Sequence, residues 1–416
     1  MKSRLWKKLG ATQNLFRMWS EDDLADIGDD RIKQISISRG SSTPEYGQHV
    51  QTLEVQTTLG LGVHTGKRVH IDLTTYAGNL LYSLCGALAA PTRPRFFGRI
   101  GKMTMDDVKP GQQHATIYAA TWGAQLKNTA VKRQIAGGTP VADVVKYLHS
   151  PYGVGLRKVP NVATPAPIGT YGYTWDVMEI DSFSDGIRKF VDDLGLYMHT
   201  LRDGNEVLTT TEYMWNQANA KLATTMPLTR SQAISPATWE QPAEDIPRQH
   251  WVTYKDGNGN NITNGYGNDT DNPNLPRVEY DMSHIRWVNN DNQPNRAAWI
   301  GYTRDRDNGY TIPSITIDLL RLITSPIEYH RIQAAQLLDL QVGDPVFLSG
   351  DWNTTVRGMH FATGIDETIT PDGWDLTLSI HPADTVVGQP TPIIPPRVWE
   401  SAEWPWNDET RAWNGA

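Results

Sequence analysis

From Arg31 onward the apolar residues fall at alternate positions, with Ile32, Ile35 and Ile37 set among Lys33, Ser36 and Ser38. Alternation sends one set of side chains to a core and the other to water, so it predicts a half-buried strand. The pattern returns at Leu53-Glu54-Val55-Gln56 and at Val69-His70-Ile71-Asp72-Leu73, and further strands are expected at Phe96 to Ile100 and Ala115 to Ala119. Five short strands separated by Gly- and Pro-containing turns predict a small barrel or sandwich.

The period then changes. Thr139-Pro140 supplies an N-cap and an N1 proline ahead of Val141, Val144, Val145 and Leu148, which share a helical face. After strand-like Tyr173 to Ile180, Ser182 and Asp185 open a second helix carrying Ile187, Phe190, Val191 and Leu194 inward and ending at Gly195. Leu196 to Leu208, with Asp203-Gly204 at its centre, reads as a hairpin. Between 211 and 310 Asn, Asp, Gly and Pro dominate; strands are expected at Arg248 to Tyr254, Val278 to Met282 and Ile285 to Val288, and a long exposed loop from Lys255 to Pro276.

Alternation resumes at Ile315, Ile317 and Leu319, and Ser325-Pro326 opens a helix with Ile327, Ala334, Leu337 and Leu338 on one face. Val346 and Leu348, His360 to Gly364, and Trp374-Asp375-Leu376-Thr377-Leu378-Ser379-Ile380 predict the closing strands. The expected fold is therefore α+β and β-dominated. A first barrel (31–126) and a second (311–388) flank an α/β insert (127–210) and a loop-rich β segment (211–310). Terminal arms lie at 1–30 and 389–416.

The first arm, with Leu5, Leu9, Phe16 and Trp19 separated by charge, reads as mobile or as a short amphipathic helix that docks on a neighbour. It lacks the apolar core and small-residue cleavage site of a signal peptide. The last arm follows a Pro-rich linker (Pro390, Pro392, Pro395, Pro396) with Trp399, Trp404, Trp406 and Trp413. Tryptophans in such a place pack on the parent domain or anchor a neighbouring subunit, and these four are the candidate interaction residues.

A formal net charge of −8 removes the basic footprint of a protein that grips nucleic acid, although it suits a wall past which DNA slides. The single cysteine, Cys85, forms no intrachain disulfide and no Cys-based zinc site, which suits a reducing cytoplasm. It lies in the longest apolar run, Leu80 to Ala90, and reads as a buried small hydrophobe. That run is too short for a bilayer, which takes roughly 20 residues, so no stable membrane insertion is expected.

No motif carries chemistry. Gly60 to Arg68 places Leu61 and Arg68 where a phosphate loop needs glycine and a hydroxyl, and is expected to be a hairpin turn. Asp256, Asn258 and Asn260 begin like a calcium loop, but Asn261 and Gly267 replace its glycine and glutamate. The histidines lack zinc spacing, and Glu179, Asp181 and Asp185 suit a helix N-terminus better than a glycosidase pair. Neither a catalytic residue, a metal nor a cofactor is expected.

Several segments carry a resemblance in their order and spacing. They are Gly28-Asp29-Asp30-Arg31-Ile32 leading to Ile35 to Gly40, the Thr52 to Thr57 strand, Arg68 to Ile71, Phe96-Phe97-Gly98-Arg99-Ile100, and Ala115 to Leu126. At the other end stand Leu340-Gln341-Val342-Gly343-Asp344-Pro345-Val346 and Gly364 to Trp374, with Leu376 to Ala383 as the final strand. Over most of 28–388 the chain resembles the tail-hub, or baseplate hub, family of tailed bacteriophages, often called minor tail proteins. The resemblance implies a homotrimer with two tube-like barrels per chain, six in all, that continues a hexameric tail tube at the tail tip. It implies distal tail, tail tube, tape-measure and fibre or spike proteins as partners, phage DNA only in transit, and assembly in the host cytoplasm. The alternatives are a carbohydrate-binding or cell-wall-degrading tail protein, for which the tryptophans speak, and a hexameric distal tail ring protein.

Overall fold

A computed structural model of the chain describes residues 4–20, 26–28, 31–40, 47–49, 51–58, 64–86, 91, 93–109, 112–121, 130–135, 173–175, 178–182, 196–204, 206–210, 221, 225, 227–233, 249–256, 258–266, 277–287, 312, 314–352 and 357–382. The first strands are β1 (Phe16–Trp19), β2 (Asp26–Gly28), β3 (Ile32–Gly40), β4 (Gly47–His49), β5 (Thr52–Thr58), β6 (Arg68–Leu73), β7 (Pro94–Lys109) and β8 (Gln112–Ala120). The middle of the chain adds β9 (Ala130–Ile135), β10 (Tyr173–Trp175), β11 (Met178–Ser182), β12 (Leu196–Thr200), β13 (Glu206–Thr210), β14 (Gln249–Lys255), β15 (Asn261–Tyr266) and β16 (Arg277–Trp287). The last four are β17 (Ser314–Asp318), β18 (Pro345–Leu348), β19 (Gly358–Ile369) and β20 (Trp374–Pro382).

One sheet organises the molecule. Its 11 strands run β17-β20-β19-β3-β5-β8-β7-β6-β1-β2, with β18 also on β19. Strands from the two expected barrel segments are thus hydrogen-bonded to each other, through the antiparallel β3–β19 pair. The sheet curls into a half-barrel.

Among the described residues four helices cover its apolar face: α1 (Arg4–Leu9), α2 (Thr75–Cys85), α3 (Leu319–Ile323) and α4 (Glu328–Asp339). Two of them have a side-chain cap at the start. The Thr74 hydroxyl accepts from Ala77 N to cap α2, and Gly86 ends it at φ 60°, a left-handed angle that glycine adopts without a Cβ penalty. Asp318 caps α3 by accepting from Arg321 N. Their inward faces, including Leu5, Leu9, Leu81, Leu320, Leu337 and Leu338, join one continuous core with Ile35, Val55, Ile71, Phe96 and Leu378. Each fully buried Leu or Ile contributes about 1.5–3 kcal/mol relative to exposure.

Several expectations need revision. The first arm is built into this core: Leu5 N donates to Pro371 O at 2.8 Å, and Phe16 meets Trp374 edge-on at 5.2 Å. Helix α2 occupies Thr75–Cys85, overlapping the apolar run that starts at Leu80, and it buries Cys85. Asn261 to Tyr266 is strand rather than loop, because the Asp256 carboxylate accepts from Asn258 N and Asn260 N and folds a tight turn between β14 and β15. The Gly60 to Arg68 connection is not a hairpin: β5 pairs with β3 and β8, whereas β6 pairs with β1 and β7. Ile327 stands at the N-cap position of α4 without a side-chain capping bond and stays exposed.

The Asp203-Gly204 hairpin is present as β12–β13, with β4 parallel on β12. A second sheet orders β10-β16-β14-β15, and β11 pairs with β9. Glu179 and Asp181 lie on β11. Ser182, expected to open a helix, ends β11. The rest of that helix (183–194, with Asp185), the helix expected over 140–148 and the arm at 389–416 lie outside the described residues.

Candidate functional site: a polar sheet face and the charges behind it

The face of the sheet turned away from the helices is polar along rows that cross it. The strand registers align Thr316, Thr377, Asp366, Ser38, Thr52, Ala120 and Arg99. The next row aligns Asp318, Asp375, Thr368, Ser36, Glu54, Tyr118 and Lys102. Both follow from period-two alternation: once Ile35, Ile37, Leu53, Val55 and Ile117 turn to the core, their neighbours must face the other side.

Curling makes this face hollow, and a recess of about 680 Å³ lies across β19, β3, β5, β8 and β7. Ser36, Ser38, Thr52, Glu54, Tyr118 and Asp366 are among its lining residues. Short hydroxyls and charged groups share the two rows, and Thr316 and Thr377 bond to each other at 2.9 Å. Charge is graded along the rows. Asp318, Asp375, Asp366 and Glu54 lie toward the β17 side, while Lys102 and Arg99 lie toward β7. Desolvation first, and the Asp318 charge second, raise the Asp375 pKa above the usual carboxylate value. Such a wall offers hydroxyls and mostly negative charge, so it gives phosphates little to hold.

Directly behind it the core-facing row Ile317, Leu376, Glu367, Ile37, Leu53, Ala119 and Ile100 contains one charged member. Glu367 is the centre of a buried cluster with Arg39 on β3, Arg95 on β7 and Arg202 beside the β12–β13 turn. Arg95 Nη2 donates to Glu367 Oε1 and Oε2, each at 2.7 Å, and its Nε to Oε1 at 3.2 Å. Trp374 Nε1 adds a bond to Oε1 at 3.0 Å. Arg95 Nη1 and Arg202 Nη2 reach the carbonyls of Leu338 and Leu340 at the end of α4, at 2.7 and 3.1 Å. Desolvation works to raise the Glu367 pKa, but Arg95, Arg39 and Arg202 together hold it below the usual value.

The cluster ties β3, β7, β19, α4 and the β12–β13 hairpin together. Glycines let the backbones close around it. A Cβ on Gly40, whose φ is +74°, would sit 2.1 Å from Thr363 O, and one on Gly204 would sit 2.6 Å from Phe97 Cδ1.

Of the residues singled out in the sequence, Trp399, Trp404, Trp406 and Trp413 lie outside the described residues. Asp256, Asn258 and Asn260 form the turn described above, with hydrogen bonds among themselves. Among the described residues no group of three or more His, Cys, Asp or Glu side chains could hold a metal, and no helix is long and apolar enough to cross a membrane. The buried cluster was not anticipated. Its signal was the phase of the alternation, since Arg39 falls on the same face as Ile35 and Ile37, and Glu367 on the same face as Ile365 and Ile369.

No protein-family model matches the chain, and no curated protein matches it either. Solved structures do. The 43 kDa tail protein of prophage MuSo2 from Shewanella oneidensis superposes with a TM-score of 0.57 at 10% identity, covering 89% of this chain and 99% of that one. The tail protein from Neisseria meningitidis MC58 gives 0.56 at 11% identity, covering 90% and 98%. The chain therefore shares, over most of its length, the fold of phage tail proteins.

Proposed function

We propose that this protein is a non-catalytic structural subunit of a phage tail, the hub at the tail tip that continues or closes the tail tube. The observation that carries the reading is the tail-protein fold over about nine-tenths of the chain, together with a largely polar face on its main curled sheet. In this reading the segments 31–126 and 311–388 are the two tube-like units of each chain, joined at β3–β19. Three chains then present six such units around one axis, which matches a six-fold tube. The polar rows line the DNA exit channel, where hydroxyls and carboxylates let the duplex pass in transit without binding.

Distal tail and tail tube proteins stack on the ring, the tape-measure protein ends in it, and fibre or spike proteins hang from it. The Trp-rich segment around Trp399, Trp404, Trp406 and Trp413 supplies anchors for such neighbours. The protein is assembled in the host cytoplasm and resides at the virion tail tip.

Native mass measurement on the purified protein and on dissociated virions tests this. A trimer in either supports the hub. Monomer alone in both refutes it, a hexamer makes it a distal tail ring, and release of soluble fragments from peptidoglycan makes it a cell-wall-degrading protein.

A further inference from the structure

The buried cluster is not electrically complete. Arg39, 1% exposed, has Nε, Nη1 and Nη2 all enclosed and without a hydrogen-bond partner among the described residues, and Arg202 Nε is in the same condition. The nearest counter-charge to Arg39, Glu367 Oε2, stands 3.6 Å from Nη2, beyond a normal hydrogen bond. Glu367 is already engaged by three bonds from Arg95 and one from Trp374. Asp339, 3.3 Å from Arg202 Nη1, is 43% exposed and balances only that residue in part.

Among the described residues, three buried guanidinium groups thus share one buried carboxylate. Burial first, opposed by Glu367 and more weakly by Asp366 on the polar face and reinforced by Arg95, lowers the Arg39 pKa to about 10, which leaves the group charged at neutral pH. Water could satisfy N–H donors, but it could not neutralise the excess charge, and an unpaired buried ion is strongly unfavourable.

We propose that the Arg39 guanidinium, with Arg202 beside it, is the binding site for a small monovalent inorganic anion of chloride size. The anion accepts the free N–H donors of Arg39 and cancels the excess charge. It is enclosed as β3, β19 and the β12–β13 hairpin close, so it fastens the seam between the N-terminal and C-terminal strands of the sheet.

The test uses the full chain at fixed protein concentration and fixed ionic strength, with sodium chloride replacing sodium gluconate in urea unfolding. Above the dissociation constant, each tenfold rise in chloride should raise the folding equilibrium constant about tenfold. In Arg39→Met that dependence should vanish. Crystals of the unaltered protein grown in bromide should show an anomalous peak within hydrogen-bonding distance of Arg39, and this measurement decides alone if Arg39→Met does not fold. Equal stability in chloride and gluconate, the same chloride slope in Arg39→Met, or no bromide peak at Arg39 would overturn the proposal.

Discussion

Replacing Glu367 by Gln keeps the volume of the side chain and removes its charge, and it tests the account of the cluster most directly. Glutamine offers one acceptor where the carboxylate offers two, and its amide nitrogen would face a donor of Arg95, which now bonds both oxygens at 2.7 Å. Arg95 would remain buried without its carboxylate partner. Removing one partner of a buried pair costs about 3–5 kcal/mol, a large share of the roughly 5–15 kcal/mol that holds a typical protein folded. Urea unfolding followed by tryptophan fluorescence reports it, because Trp374 donates to the same carboxylate.

The pH dependence gives a second arm. The folded pKa of Glu367 is depressed, so the unfolded chain binds the proton more readily. The stability it contributes is present above the ordinary carboxylate pKa, about 4.3, and is lost as pH falls through the lower folded value. Glu367→Gln should lose most relative to the wild type at neutral pH and least in strong acid. A loss below about 1 kcal/mol at pH 7, or one independent of pH, would refute the description of Glu367 as the centre of a buried ionic cluster.

Other substitutions probe separate features. Gly40→Ala combines a positive φ with a Cβ 2.1 Å from Thr363 O, and should cost at least about 2 kcal/mol in thermal or urea unfolding. Asp375→Asn should raise the melting temperature at pH 7 but not at pH 3. The raised folded pKa means that stability falls as pH rises past the unfolded carboxylate value, a cost the amide does not carry. Asp256→Ala removes the carboxylate that accepts from Asn258 N and Asn260 N, so hydrogen exchange at both amides should quicken while exchange in β3 and β5 stays unchanged.

The strand positions were legible because alternation is a local property. Ile35 and Ile37, Leu53 and Val55, Val69, Ile71 and Leu73, and Leu376 and Leu378 all turn to the core in the phase their spacing dictates. The same phase marked Ser36, Glu54, Thr368 and Thr377 as the opposite face. Helix α2 was missed because Thr74 and Gly86 cap a segment whose exposed face is made of small and aromatic residues rather than charges. The β14–β15 hairpin was missed because a single carboxylate, Asp256, tightens what reads as a long polar loop.

Pairing is a different matter. That β3 lies against β19, and so merges two separate stretches of sequence into one sheet, is decided by side chains far apart in the chain. Arg95 and Glu367 are 272 positions apart, and each alone looks like a charge that belongs in water. Only when the sheet curls do they become partners, because in a low-dielectric interior neither ion is tolerable without the other. The sequence by itself determined which side chains are buried along β3, β5, β6 and β20. The tertiary structure decided which strands are neighbours, and with them the hollow polar face and the charge cluster behind it.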